Sequence, residues 1–181
     1  MFSRWSRTLV IFIASCVMVF TPAAYSGESE FPEGKIKAAL IYNFMRFVDW
    51  PEEQNATGVI CVIGVKQEYR QALKFLTTQQ LNQKNITLRE INGGKSGEVL
   101  GSCQIIFVTT VATDKQKQKI INSAGNALII AEDSGLNESG VMINLIRDKR
   151  KIGFEINMPN VKASNIRISS KILRLADKVI Q

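Results

Sequence analysis

The residues best placed for chemistry in this 181-residue chain lie near its C-terminus. Glu155 and Asn157 stand at the end of a predicted strand, Pro159 and Asn160 turn the chain, and Arg167 and Ser169 precede a last apolar-periodic stretch. Strand ends in α/β sheets border ligand crevices, so Glu155, Asn157 and Arg167 are candidates to converge on a small polar ligand. The plainer reading has Asn157 capping its own turn, as turn asparagines do, while Glu155 and Arg167 pair or face water. There is no histidine. That removes Ser–His and Cys–His nucleophile pairs, histidine-built metal sites and the commonest general base. No closely spaced acid pair falls on one face, and two strand cysteines cannot make a four-ligand zinc site. No catalytic residue, metal or cofactor is therefore expected.

Two further motifs weaken on inspection. Gly93-Gly94-Lys95-Ser96 ends like a phosphate loop, but Arg89 stands where the first glycine of G-x-x-x-x-G-K-[ST] belongs and Gly97 follows where a helix should begin. It reads as a Gly/Ser loop. Arg147 to Lys151, RDKRK, is the densest basic cluster. Charge runs of this kind are first of all solvated turns; the sharper alternative is contact with an acidic partner or with anionic headgroups.

The compartment is read from the first 26 residues. Arg4 and Arg7 precede the apolar run Leu9 to Phe20, and Pro22, Ala24 and Ser26 supply a breaker and small residues. This is the layout of a secretory signal cleaved near Ser26. The run is shorter than the roughly 20 residues a spanning helix needs. Ile13-Ala14-Ser15-Cys16 also resembles a short lipobox, leaving a lipoprotein anchored at Cys16 as a minor alternative. Removing the leader takes away two of the 23 Lys and Arg and none of the 16 Asp and Glu, so a charge of +7 becomes +5. That is modest and dispersed, unlike a nucleic-acid footprint. Cys61 and Cys103 then remain, an even count in an oxidising compartment. A bridge between them, closing a loop of about 43 residues and adding roughly 4 kcal/mol, is favoured over two buried thiols.

Residues 27–34 read as a flexible N-terminus and 35–181 as a single domain. A helix is expected from Lys35 to Val48, with Ile36, Ala39, Leu40, Phe44, Phe47 and Trp50 on its apolar side and Ala38, Tyr42 and Asp49 opposite. VICVIG (59–64), CQIIFV (103–108) and NALIIAED (126–133) are continuous apolar runs, the pattern of strands buried on both faces. Gln67 to Leu76 reads as a helix facing inward through Tyr69, Leu73 and Leu76, NITLREI (85–91) as a half-exposed strand, and Asp114 to about Ser123 as a capped helix. VMINLI (141–146) and KIGFEI (151–156) flank the basic cluster as a hairpin. Ser169 to Ile180 reads as one amphipathic helix, with Ile172, Leu173, Leu175, Ala176, Val179 and Ile180 on its apolar side. The expected fold is α/β: a three-layer sandwich with a mostly parallel central sheet and a C-terminal antiparallel hairpin.

Five segments, KAALIYNFMRFVDWP, ICVIG, CQIIFV, FEIN and SSKILRLADKV, together resemble the YfiR family of small periplasmic proteins. The resemblance covers about Lys35 to Ile180; its first and last segments are the specific ones. It implies an exported α/β sandwich with a structural disulfide and a tendency to form homodimers. It implies a partner, the periplasmic domain of an inner-membrane diguanylate cyclase, which the protein would hold inactive, lowering cyclic di-GMP and biofilm formation. One mature disulfide leaves no second bridge for redox control. The segment assigned to partner contact is Val161, Ile166, Arg167 and Ser169, with exposed residues of the last helix such as Arg174. A rival reading is a periplasmic small-ligand sensor reporting to another membrane signalling protein, with Glu155 and Asn157 at its site.

Overall fold

The computed structural model describes residues 33–51, 58–81, 84–91, 100–109, 112–113, 115, 119–120, 122–132, 140–149 and 151–181. The leader, the Gly93–Ser96 loop and half of the expected 114–123 helix lie outside them.

Three strands come from the apolar runs: β2 (Val59–Ile63), β6 (Ile105–Val108) and β7 (Leu128–Glu132), every residue of which is buried. Cys103 and Gln104 precede β6 instead of opening it. β3 (Gln80–Leu81) and β4 (Lys84–Asn85) pair apart from these as a two-stranded sheet. With β5 (Thr87–Ile91), β8 (Ile143–Asp148), β9 (Lys151–Asn157) and β11 (Lys178–Ile180), the three apolar strands build a seven-stranded sheet in the order β11-β9-β8-β7-β6-β2-β5. All neighbouring pairs are parallel except the β8–β9 hairpin. Strand alternation sends Ile60, Val62, Ile105, Phe107, Leu128 and Ile130 into one core, and Cys61, Ile106, Val108, Ile129 and Ala131 into a second core across the sheet. The Cys61–Cys103 disulfide lies in the second, with Cα atoms 5.8 Å apart.

The first core is covered by α1 (Glu33–Phe47) and α2 (Gln67–Leu76). α2 buries Tyr69, Leu73 and Leu76, the side its spacing indicates. α1 differs from expectation twice. It begins at Glu33, so residues 33 and 34 form its first turn. Its buried face is Gly34, Lys37, Ala38, Ile41, Phe44 and Met45, while Ala39 is exposed. The helix carries apolar side chains nearly all round, so periodicity could not choose a face; a polar anchor at Lys37 does.

The largest departure is at the C-terminus. In place of one amphipathic helix from Ser169 to Ile180 there are β10 (Arg167–Ile168), a single turn α4 (Ser170–Leu173) and the strand β11. β10 pairs antiparallel with β1 (Val48–Asp49), directly after α1. β11 pairs parallel with β9, which would otherwise be an open edge. Asp177 drives the change. Its N–H donates to the Phe154 carbonyl (2.9 Å), its Oδ2 accepts from the Phe154 N–H (2.9 Å), and its Oδ1 accepts from Lys151 Nζ (2.7 Å). Backbone pairing along β9 and a charge-assisted clamp outweigh the helical spacing of a short segment, because propensity is a weak prior against tertiary contacts.

The clamp also explains Gly153. A Cβ there would fall 2.8 Å from Asp177 Cγ, inside van der Waals contact. Gly153→Ala is expected to lower the unfolding free energy by about 1–3 kcal/mol in a urea titration. The loss should shrink in an Asp177→Ala background; an equal loss in both would disconnect the glycine from the carboxylate.

Candidate functional site

The chain order of the parallel strands reverses at β2: β5 lies on one side of it and β6 on the other. Ligand crevices of open α/β sheets lie outside the carboxyl ends of strands at such a point. Here that end carries a dense polar cluster. Gly64 follows β2 at a positive φ of 72°, and Thr109 follows β6, donating its N–H to the Ile63 carbonyl (3.1 Å) and its hydroxyl to the Gly64 carbonyl. Glu132 closes β7 at 3% exposure.

Lys37, 5% exposed on α1, reaches this end. Its Nζ donates to Glu132 Oε1 (2.7 Å), to the Tyr69 hydroxyl (3.0 Å) and to Glu33. Lys66, just ahead of α2, lies 3.2 Å from Glu132 Oε2 and donates to Tyr69 (3.3 Å). The Tyr69 hydroxyl donates to Glu33 Oε1 (2.8 Å), and Arg147 from the hairpin donates to Glu33 Oε2 (2.7 Å). Both ammonium groups also lie over the Tyr69 ring, at 4.8 and 5.1 Å from its centroid. Three cations and two carboxylates thus join α1, α2, β7 and the hairpin. Burial alone would raise the Glu33 carboxyl; the hydrogen bonds from Lys37 and Tyr69, then the charges of Lys37 and Arg147, outweigh it and hold the group below its ordinary 4.5. Sequence reading missed this cluster. Its signals were a lysine four residues after Glu33 within an apolar helix and an acid ending an apolar strand.

The C-terminal candidates do not gather at one point. The Asn157 side chain accepts from the Asn160 N–H (3.1 Å), capping the short α3 (Met158–Lys162). Glu155 is half-buried, in register between Asn144 and Lys178 on the main sheet. Arg167 lies on the separate two-stranded sheet opposite Asp49. Val161 and Ile166 are 2% and 4% exposed and belong to the first core. They support the segment from beneath, since apolar side chains on this short excursion bury against the sheet. Arg167 and Arg174 are exposed. Ser169 caps α4 by accepting from the Lys171 N–H (3.2 Å) and donates its own N–H to the Phe47 carbonyl (3.1 Å). At the hairpin tip Arg147 and Lys151 are paired with Glu33 and Asp177.

A groove of about 680 Å³ runs between α1 and α2, floored by Ala38, Ala39 and Ala72 and walled by Tyr42 and the exposed Phe75, with Lys35 in its lining. Its size suits a small molecule. Among the described residues no group of acids and cysteines has metal-binding geometry, and no helix is long and apolar enough to cross a membrane.

Fold and site together define an α/β domain on a mostly parallel sheet, with an ion network at the ends of β2 and β7 and five exposed cations on the C-terminal excursion. Residues 34–177 match the YfiR/HmsC-like family, and the chain belongs to it. Among solved structures it is similar to a conserved domain protein from Vibrio cholerae O1 biovar eltor, at 13% identity and a TM-score of 0.55, covering 82% of this chain and 60% of that one. It is also similar to an ABC domain in complex with L-Trp from Streptococcus pneumonia, at 11% identity and a TM-score of 0.53, covering 81% and 62%. The chain spans about three-fifths of the length of each. At these identities the likeness is one of fold.

Two outcomes test the network. Lys37→Met is expected to cost about 3–5 kcal/mol in chemical denaturation, because it removes the buried ammonium partner of buried Glu132. The Glu33 carboxyl, being lowered, stabilises the fold above its unfolded pKa, and that contribution is lost as pH falls through the folded value. Glu33→Gln should therefore be less stable than the parent at neutral pH, and the two stability–pH curves should converge on acidification below about pH 4. Parallel curves would remove Glu33 from the network's energetics.

Proposed function

We propose that this protein is exported to the periplasm as a single domain. There it binds the periplasmic domain of an inner-membrane diguanylate cyclase and holds the cyclase inactive, lowering cyclic di-GMP and biofilm formation. Membership of the YfiR/HmsC-like family over residues 34–177 carries this reading. The absence of histidine agrees with a role in binding.

Repression works by population shift. The protein binds the cyclase's off state more tightly than its on state, and equal affinity would change nothing. The contact surface is the C-terminal excursion. Arg167 and Arg174 project from it, the Ser169 cap fixes its turn, and buried Val161 and Ile166 hold it on the core. Arginines suit such a surface because the guanidinium forms bidentate contacts with carboxylates. A homodimer, which the family resemblance implies, would present this surface twice. The groove between α1 and α2 supports a second reading, a small ligand whose occupancy is reported to a membrane signalling protein. Saturable thermal stabilisation by a metabolite, abolished by Phe75→Ala, would favour it.

The double substitution Arg167→Glu/Arg174→Glu is expected to weaken the cyclase complex at least about a hundredfold, as loss of two interfacial charge contacts does. It should raise cyclic di-GMP to the level of a deletion strain without lowering thermal stability. Unchanged binding would exclude this surface; a deletion strain with the parent's cyclic di-GMP would sink the reading itself.

A further inference from the structure

We propose that the outer face of α4 is a docking surface for an anionic lipid bilayer. This goes beyond the cyclase reading: it shares Arg174 with that contact surface, and its own observations are the exposed Leu175 and the cations over Phe47. From Met158 to the C-terminus the chain carries five cations, Lys162, Arg167, Lys171, Arg174 and Lys178, against the single acid Asp177. All five are exposed. Asp177 is engaged by Lys151 and by the Phe154 N–H, while Asp49 sits in register with Arg167 and Glu155 with Lys178.

Within that segment Lys171, Arg174 and Leu175 stand three and four residues apart. The Leu175 N–H donates to the Ile172 carbonyl (3.0 Å) and the Arg174 N–H to Ser170 (3.1 Å), so the turn persists through them and they share one face. Leu175 is 69% exposed, a large aliphatic side chain set among cations. The face continues onto α1. Lys171 Nζ lies 5.4 Å and Arg46 Cζ 5.3 Å from the centroid of the half-buried Phe47 ring, and Arg46 also covers Tyr42 at 5.8 Å. Two cations therefore lie over one aromatic ring, and one of them, Lys171, stands a turn before the exposed Leu175.

A charged protein partner would satisfy the cations but would also have to supply a pocket for Leu175. A headgroup layer accepts both without such a pocket: the cations meet phosphates and the aliphatic tip enters the acyl boundary. At the hairpin tip, by contrast, Arg147 and Lys151 are paired with Glu33 and Asp177. Such docking confines the protein to a plane, where a membrane-embedded partner is found by two-dimensional search.

The test is cosedimentation of the purified processed protein with vesicles of phosphatidylcholine alone or with about a quarter phosphatidylglycerol. Binding is expected only with phosphatidylglycerol, falling steeply as salt rises above about 0.1 M. Arg46→Glu/Lys171→Glu should lower vesicle partitioning at least about twentyfold, at roughly fivefold per cation. Leu175→Ser, which removes an exposed side chain and leaves the core untouched, should lower it about fivefold. No binding to anionic vesicles at low salt, equal binding to neutral vesicles, or parental partitioning by these variants would overturn the proposal. Loss of vesicle binding with an intact cyclase complex would leave the repression reading standing, whereas vesicle binding by a protein that ignores the cyclase would do the reverse. If vesicles are ignored and Arg46→Glu/Lys171→Glu weakens the cyclase complex instead, the face belongs to the protein interface.

Discussion

The buried Lys37–Glu132 pair is the constraint on which the architecture turns. An ammonium and a carboxylate at 5% and 3% exposure cannot be left apart, because an isolated buried charge is far costlier than a paired one. The pair therefore fixes how α1 lies over the sheet. Once Lys37 points at the end of β7, Ala38, Ile41, Phe44 and Met45 must face the core and Ala39 must face out. Tyr69 and Lys66 bring α2 to the same point, and Glu33 brings the hairpin through Arg147. One ion pair thus sets the rotation of one helix, the seating of another and the attachment of the β8–β9 tip.

The same network lies at the carboxyl ends of β2 and β7, the edge at which open α/β sheets hold ligands. Cations that could greet an anion at the strand ends are satisfied by the chain's own carboxylates and phenol. The surface we propose for partners lies at the opposite end of the chain. There Asp177 and Gly153 pin a short strand to the sheet edge, and the residues ahead of it are pushed out as a basic, partly apolar ledge. The disulfide stands apart from both, tying the loop ahead of β6 to the centre of β2 in the second core.

The sheet was legible because its strands are self-declaring. A run such as VICVI has no polar side to expose and must be buried on both faces. α2 was legible for the complementary reason: Tyr69, Leu73 and Leu76 recur at helical spacing on an otherwise polar segment. α1 and the C-terminus were not. An all-round apolar helix has no preferred face until a partner appears, and residues 169–180 satisfy a helical period and a broken turn–strand pair equally well. The candidate residues divide the same way. Asn157 as a turn cap follows from local chemistry, but Val161 and Ile166 read as contact residues until the core that absorbs them is seen.

By itself the sequence determined the α/β class, the buried strands, the hairpin, the lack of any histidine-based chemistry and the pair of cysteines available to bridge. These follow from local periodicity and residue type, which need no knowledge of neighbours. Only the tertiary structure decided the face of α1, the conversion of the last residues into an edge strand and the convergence of Glu33, Lys37, Lys66, Tyr69, Glu132 and Arg147. These depend on groups up to 114 positions apart in the chain, whose mutual attraction exists only after the sheet has brought them together.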